Sequence, residues 1–162
     1  MKFLTRIINS LGKLCAWLTV LLAVLLLSVV VLRYGFNIGA TAIQETVVYF
    51  HGFALLMGAG MTLIDDKHVR VDVFYRNLPL QKQGMINAVG LFILAAPVFI
   101  FIAWMSYPYV LMSWRLLESS QETGGLPFVY LQKSMLLMFP LVMLLSISVC
   151  LAKAIKQIKG VH

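Results

Sequence analysis

Along this chain the charged residues are confined to the edges of four long apolar runs. The first covers 14–32, where every position between Lys13 and Arg33 is uncharged and nearly all are Leu, Val or Ala. At about 1.5 Å rise per residue it extends roughly 28 Å, close to the hydrocarbon thickness of a bilayer. The second, 46–64, lies between Glu45 and Asp65 and is interrupted only by His51. The third uncharged stretch runs 83–114, with its apolar part beginning near Ala88. It exceeds a straight crossing, so it tilts or protrudes, with Pro97 and Pro108 as kink points. The fourth, 134–152, contains Pro140 and is closed by Lys153.

The pattern predicts an all-α membrane protein with four transmembrane helices, spanning about 14–32, 46–64, 88–114 and 134–152, in a single membrane domain 1–162. Two further segments are predicted to lie on the membrane. In residues 1–13, Phe3, Ile7, Ile8 and Leu11 share a helical face from which Lys2, Arg6 and Lys13 largely point away, the signature of an interfacial amphipathic helix. Between spans 2 and 3, Val71, Phe74, Tyr75 and Leu78 recur at helical spacing, with Asp72 as N-cap and Pro79 as terminator. A short horizontal helix suits them better than a lone strand with nothing to pair with.

Composition agrees. The 162 residues are 61% hydrophobic and only 12% charged, against about 25% charged in soluble domains; the mean hydropathy is +0.93. The net charge of +7 needs no nucleic-acid partner, because the cations follow topology. Ten of the 13 Lys and Arg residues fall before span 1, between spans 2 and 3, or after span 4. By the positive-inside rule both termini and the middle loop are cytoplasmic, in a bacterial inner membrane, where the cations meet anionic lipids. Ala40-Thr41-Ala42 resembles a signal-cleavage site, but the preceding apolar run is too long and Arg33 intervenes, so the first run is read as a retained span. Cys15 and Cys150 stand far apart without a C-x-x-C, which points to two small buried hydrophobes.

Candidate chemistry is sparse. His51 is the only histidine within a span, so a bis-histidine haem has no second ligand; a hydrogen bond within or between subunits is the simpler role. Glu45, opening the second span, could couple protons. At a helix N-terminus, however, the macrodipole already favours an anion, and Arg33 lies across the short loop as a partner. Asp65, Asp66, Lys67, His68, Arg70 and Asp72 mix acids with bases, which suggests an ion-pair network fixing a turn rather than a metal site. The loop 118–127 is polar and then turn-rich at Gly124-Gly125-Leu126-Pro127, suited to docking something outside the membrane. No nucleophile–base pair, metal-ligand set or nucleotide cradle stands out, so neither an enzyme nor a cofactor is implied. Trp17, Ala54, Gly58, Gly60 and Trp104 could supply a surface for a larger membrane partner.

These residues resemble the DctQ-like small membrane subunit of tripartite ATP-independent periplasmic (TRAP) transporters. The resemblance rests on Gly58-Ala59-Gly60-Met61-Thr62-Leu63 followed by His68-Val69-Arg70-Val71-Asp72. Arg33-Tyr34 after the first span, Glu45 opening the second, Trp114 and Gly125-Leu126-Pro127 are similar as well. The chain departs from the family at Ile43-Gln44-Glu45, where a Trp commonly precedes an acidic pair. The resemblance implies a division of labour. A periplasmic binding protein captures an organic acid or related solute; a large, elevator-type membrane subunit carries the substrate and sodium sites; the small subunit is a scaffold that helps docking. It further implies structural or interface roles for Arg33, Tyr34, Glu45, His68, Arg70, Asp72 and Trp114. The alternative from the residues themselves is a self-sufficient homodimeric four-helix exporter using Glu45; a redox-complex membrane anchor is a third reading.

Overall fold

The structure, a computed structural model, describes residues 2–67, 75 and 78–159. The elements among these are helical: α1 (Lys2–Gly35), α2 (Thr41–Ile64), α3 (Leu80–Val89), a π-helical segment (Gly90–Ala95), α4 (Ala96–Leu116) and α5 (Val129–Ile158). α3, the π segment and α4 form one continuous rod of 37 residues, so four rods are long and apolar enough to cross a membrane. Helices are what apolar runs of this length must form in lipid, where every backbone N–H and C=O needs an internal partner.

The predicted interfacial helix is not a separate element. Residues from Lys2 onward are the opening turns of α1, which continues unbroken into the first span. The reason lies in the apolar face. Ile8 is buried against Ile64 and Val149 with Leu4 beside it, and Leu11 packs on a second cluster, so the segment is held by the other helices. Phe3 and Ile7 are exposed, 73% and 40%. The predicted short helix between spans 2 and 3 lies almost wholly outside the described residues.

The rods stand side by side in the order α1, α2, α5, third rod. α2 packs on α1 and on α5, α5 packs on α3 and α4, and α1 also touches α5 where Ile8 meets Val149; among the described residues neither α1 nor α2 meets the third rod. The result is an open layer, not a closed bundle. Consistent with this, no residue is buried along the third rod between Gly84 and Val110. Two small clusters of buried residues cross α1, α2 and α5, namely Ile8, Ile64 and Val149, and then Cys15, Met57 and Val142.

Where lipid tails are as apolar as Leu, helices associate by close packing rather than by expulsion of water. Gly60 shows how. A Cβ there would stand 2.5 Å from Val142 Cγ1 and 2.8 Å from Ser146 Oγ, so only glycine allows α2 and α5 to approach this closely. Ser146 is fully buried and donates to the Val142 carbonyl at 2.8 Å, leaving no unpaired polar atom at the contact.

α2 ends through its own backbone. Asp66 takes φ of 58°, and its amide and that of Lys67 donate back to the Leu63 and Thr62 carbonyls at 3.3 and 3.0 Å. This is the paired turn that commonly closes helices, here with an aspartate in the left-handed position. Lys153 Nζ from α5 donates to the remaining Ile64 carbonyl at 3.0 Å. In the third rod the π segment ends two residues before Pro97. A proline lacks an N–H and crowds the carbonyl four residues earlier, and a widened turn relieves both. Pro108 and Pro140 lie within α4 and α5.

Candidate functional site

The richest set of polar contacts lies at the end of the layer opposite the chain termini, where the α4–α5 connection folds over the start of α2. α4 stops at Leu117, whose φ of 46° is unusual for a leucine. The Glu118 amide then donates to the Ser113 carbonyl at 3.1 Å, while the Ser113 hydroxyl donates to Glu118 Oε2 at 2.7 Å. The same carboxylate takes a bond from Lys133 Nζ at 2.6 Å, and Lys133 lies 4.1 Å from the centre of the Tyr109 ring. These contacts lock the start of the loop to the start of α5. The Lys133 ammonium, and after it the Ser113 hydroxyl, hold the Glu118 carboxyl below the usual glutamate range.

Glu45 fastens the rest of the loop. The Ser120 hydroxyl donates to Oε1, and the Leu126 amide donates to Oε2 at 2.6 Å. Ser120 also accepts from the Glu122 amide at 3.1 Å, and its own amide bonds the Leu126 carbonyl at 3.0 Å. Both carboxylate oxygens are therefore engaged in holding one turn. A Cβ on Gly125 would meet Ser120 and stand 2.8 Å from Glu45 Oε1, so the turn closes this tightly only around glycine. Beside it, Trp114 Nε1 donates to Ser134 Oγ at 2.7 Å and its ring meets Tyr130 edge-on at 4.8 Å.

A scan of protein families matches the model described as "Tripartite ATP-independent periplasmic transporters, DctQ component" over residues 14–160. This chain belongs to the DctQ family. A curated Haemophilus influenzae protein, provisionally named a TRAP transporter small permease protein, is 32% identical to it over 90 residues, 55% of this chain and 56% of that protein. The alignment thus spans little more than half of that relative's length. No solved structure matches the chain. Family membership makes the protein a transporter component and a multi-pass membrane protein.

The predicted site residues separate into three groups. Glu45 and Trp114 converge on the loop cluster just described. Arg33 and Tyr34 lie exposed at the end of α1, Tyr34 at 79%. His68, Arg70 and Asp72 lie outside the described residues; of the polar run around them, Lys67 and Asp65 pair at 3.1 Å.

Three expectations need correction. Glu45 does not pair with Arg33; its two oxygens bond Ser120 and Leu126 of the loop instead. Nor does it sit at the N-terminus of α2: the helix starts at Thr41, so Glu45 lies in the second turn, beyond most of the macrodipole's reach. Third, the small residues expected at a partner surface are used inside the chain, with Gly60 against α5, Gly58 near Cys15 and Ala54 against the Cys15–Met57–Val142 cluster. Trp17 and Trp104 do remain outward, 75% and 76% exposed.

His51 is exposed on α2, with no hydrogen bond to another described residue. Cys15 is buried in the core, and Cys150 donates to the Leu63 carbonyl at 3.6 Å, both as free thiols. Sequence reasoning did not single out Ser113, Ser120 or Lys133. Glu118 and Lys133 are 15 positions apart and Glu45 and Leu126 are 81 apart, so no local spacing could have signalled them.

Proposed function

We propose that this chain is the non-catalytic scaffold subunit of a sodium-coupled uptake transporter for an organic acid or related solute. It supports a large elevator-type permease subunit in the bacterial inner membrane and helps dock a periplasmic substrate-binding protein. Both termini are cytoplasmic, which places the Glu45–Ser120 and Glu118–Lys133 cluster on the periplasmic side. The observation that carries the reading is the open layer: four rods in a row enclose no solute path, but they make a broad wall.

The two outer faces of that wall differ. α1 exposes mainly Leu and Val, including Val20, Val24, Leu26 and Leu27, a surface like lipid itself. The third rod exposes Phe92, Phe101, Trp104, Tyr107 and Tyr109, and aromatic residues are enriched where proteins meet. The third rod is therefore the side offered to the large subunit. Tightly pinned loops at the periplasmic end supply a preformed surface for the binding protein, which lowers the ordering cost of docking.

Reconstitution tests the reading. Proteoliposomes holding both membrane subunits, with binding protein and an inward sodium gradient, should accumulate solute, and those holding this chain alone should not. Undiminished uptake by the large subunit without this chain would remove the scaffold role.

A further inference from the structure

At the end of the layer that carries the termini, a cleft of about 500 Å³ opens between α1 and α5. Four cations line it, Arg6 and Lys13 from α1 and Lys153 and Lys156 from α5, with Asn9 and Ser10 between them and no carboxylate on its walls. Lys67 and Lys133, by contrast, each meet a carboxylate, Asp65 and Glu118. Among the described residues no carboxylate pairs with Arg6, Lys13 or Lys156. Like charges gathered in one concavity repel, so the arrangement calls for an anion.

Position narrows the kind of anion. Lys13 immediately precedes the first apolar run and Lys153 immediately follows the last, so the cleft lies at the depth where lipid headgroups begin. Towards the midplane, one-turn steps along the same helices lead from Lys13 to Trp17 and Leu21, and from Val149 to Leu145 and Leu141. All four of these apolar side chains are exposed, which leaves a surface for acyl chains directly beyond the charges.

We propose that this cleft binds the phosphate of an anionic phospholipid, with Arg6, Lys13 and Lys156 as its main counter-charges and Lys153 as a shared one. Lys153 also caps α2 through the Ile64 carbonyl, so headgroup binding would brace the joint of α1, α2 and α5. The inference is independent of which large subunit the chain serves.

Native mass spectrometry of the purified full chain in neutral detergent, with phosphatidylglycerol or phosphatidylcholine added, tests it. The wild type should retain one phosphatidylglycerol with at least about tenfold preference, since each interfacial cation is worth roughly a fivefold preference for an anionic surface. The triple variant Arg6→Gln, Lys13→Gln, Lys156→Gln keeps the Lys153 cap and should lose that preference, with its helical content unchanged by circular dichroism. The control Lys82→Gln, Lys159→Gln removes cations from the same end outside the cleft and should keep it. Equal binding of both lipids by the wild type, retained preference in the triple variant, or equal loss in the control would each overturn the proposal. So would displacement of the lipid by millimolar inorganic phosphate, which would make the cleft a free-phosphate site.

Discussion

At the scale of single residues, the polar chemistry of this protein is concentrated in carboxylates that hold a loop. Glu45 accepts from a hydroxyl and an amide on the same turn, and a carboxylate suits that task because it offers acceptors only. Glu45→Ala removes both acceptors, so the Leu126 amide loses its partner. Hydrogen exchange should then quicken at the Leu126 amide while the helices keep their protection, and an unchanged Leu126 rate would remove Glu45 from this role. Glu118 makes a pH prediction. Its carboxyl is held below the ordinary range by Lys133 and Ser113. A lowered folded-state value stabilises the charged form, so the contribution is complete above the unfolded pKa of about 4.3 and fades as pH falls through the folded one. The melting-temperature difference between wild type and Lys133→Met should be constant from neutral pH to about 5 and shrink below about 4.3. A difference that does not change with pH would mean the pair contributes nothing through its charge.

At the scale of elements, the decisive contact is between α2 and α5. These are the two middle rods, and their approach at Gly60 leaves no room for a side chain. Gly60→Leu should cost at least the 1–3 kcal/mol or so typical of overpacking, with displacement of α2 that loosens the Cys15–Met57–Val142 cluster. The measurement is thermal unfolding in detergent, with Gly39→Leu as comparison, a position where an added Cβ meets nothing within 4 Å. Gly39→Leu should melt near the wild type. The π segment before Pro97 belongs to this scale too: it is how a proline is accommodated inside a rod that stays continuous over 37 residues.

At the scale of the whole molecule, an open layer of helices acquires its purpose from what lies against it. If the aromatic face of the third rod meets the large subunit, Phe101→Ala with Trp104→Ala should leave this chain folded and inserted. Association should fall by at least tenfold in co-purification, in keeping with buried aromatic anchors worth about 2 kcal/mol or more each. Full recovery of the complex from the double variant would assign that face to lipid.

What the sequence determined by itself was number, kind and location: four uncharged runs of bilayer length, bounded by charges, dictate four helices, because a segment satisfies its own backbone in hydrocarbon only as a helix and a closed barrel would need short alternating strands. The family was legible as well, from motifs such as Gly58 to Leu63 and Arg33-Tyr34. The order of the rods was not. Exposure to lipid and burial against another helix both select apolar side chains, so periodicity cannot tell one from the other. For the same reason Ile8 and Leu11 read as part of a membrane-surface face although they pack within the layer. The partners of Glu45 and Glu118 depend on contacts across 15 to 81 residues. The Glu118 contact exists only once α4 and α5 stand together, and the Glu45 contacts only once their connection folds over α2, so only the tertiary structure could decide them.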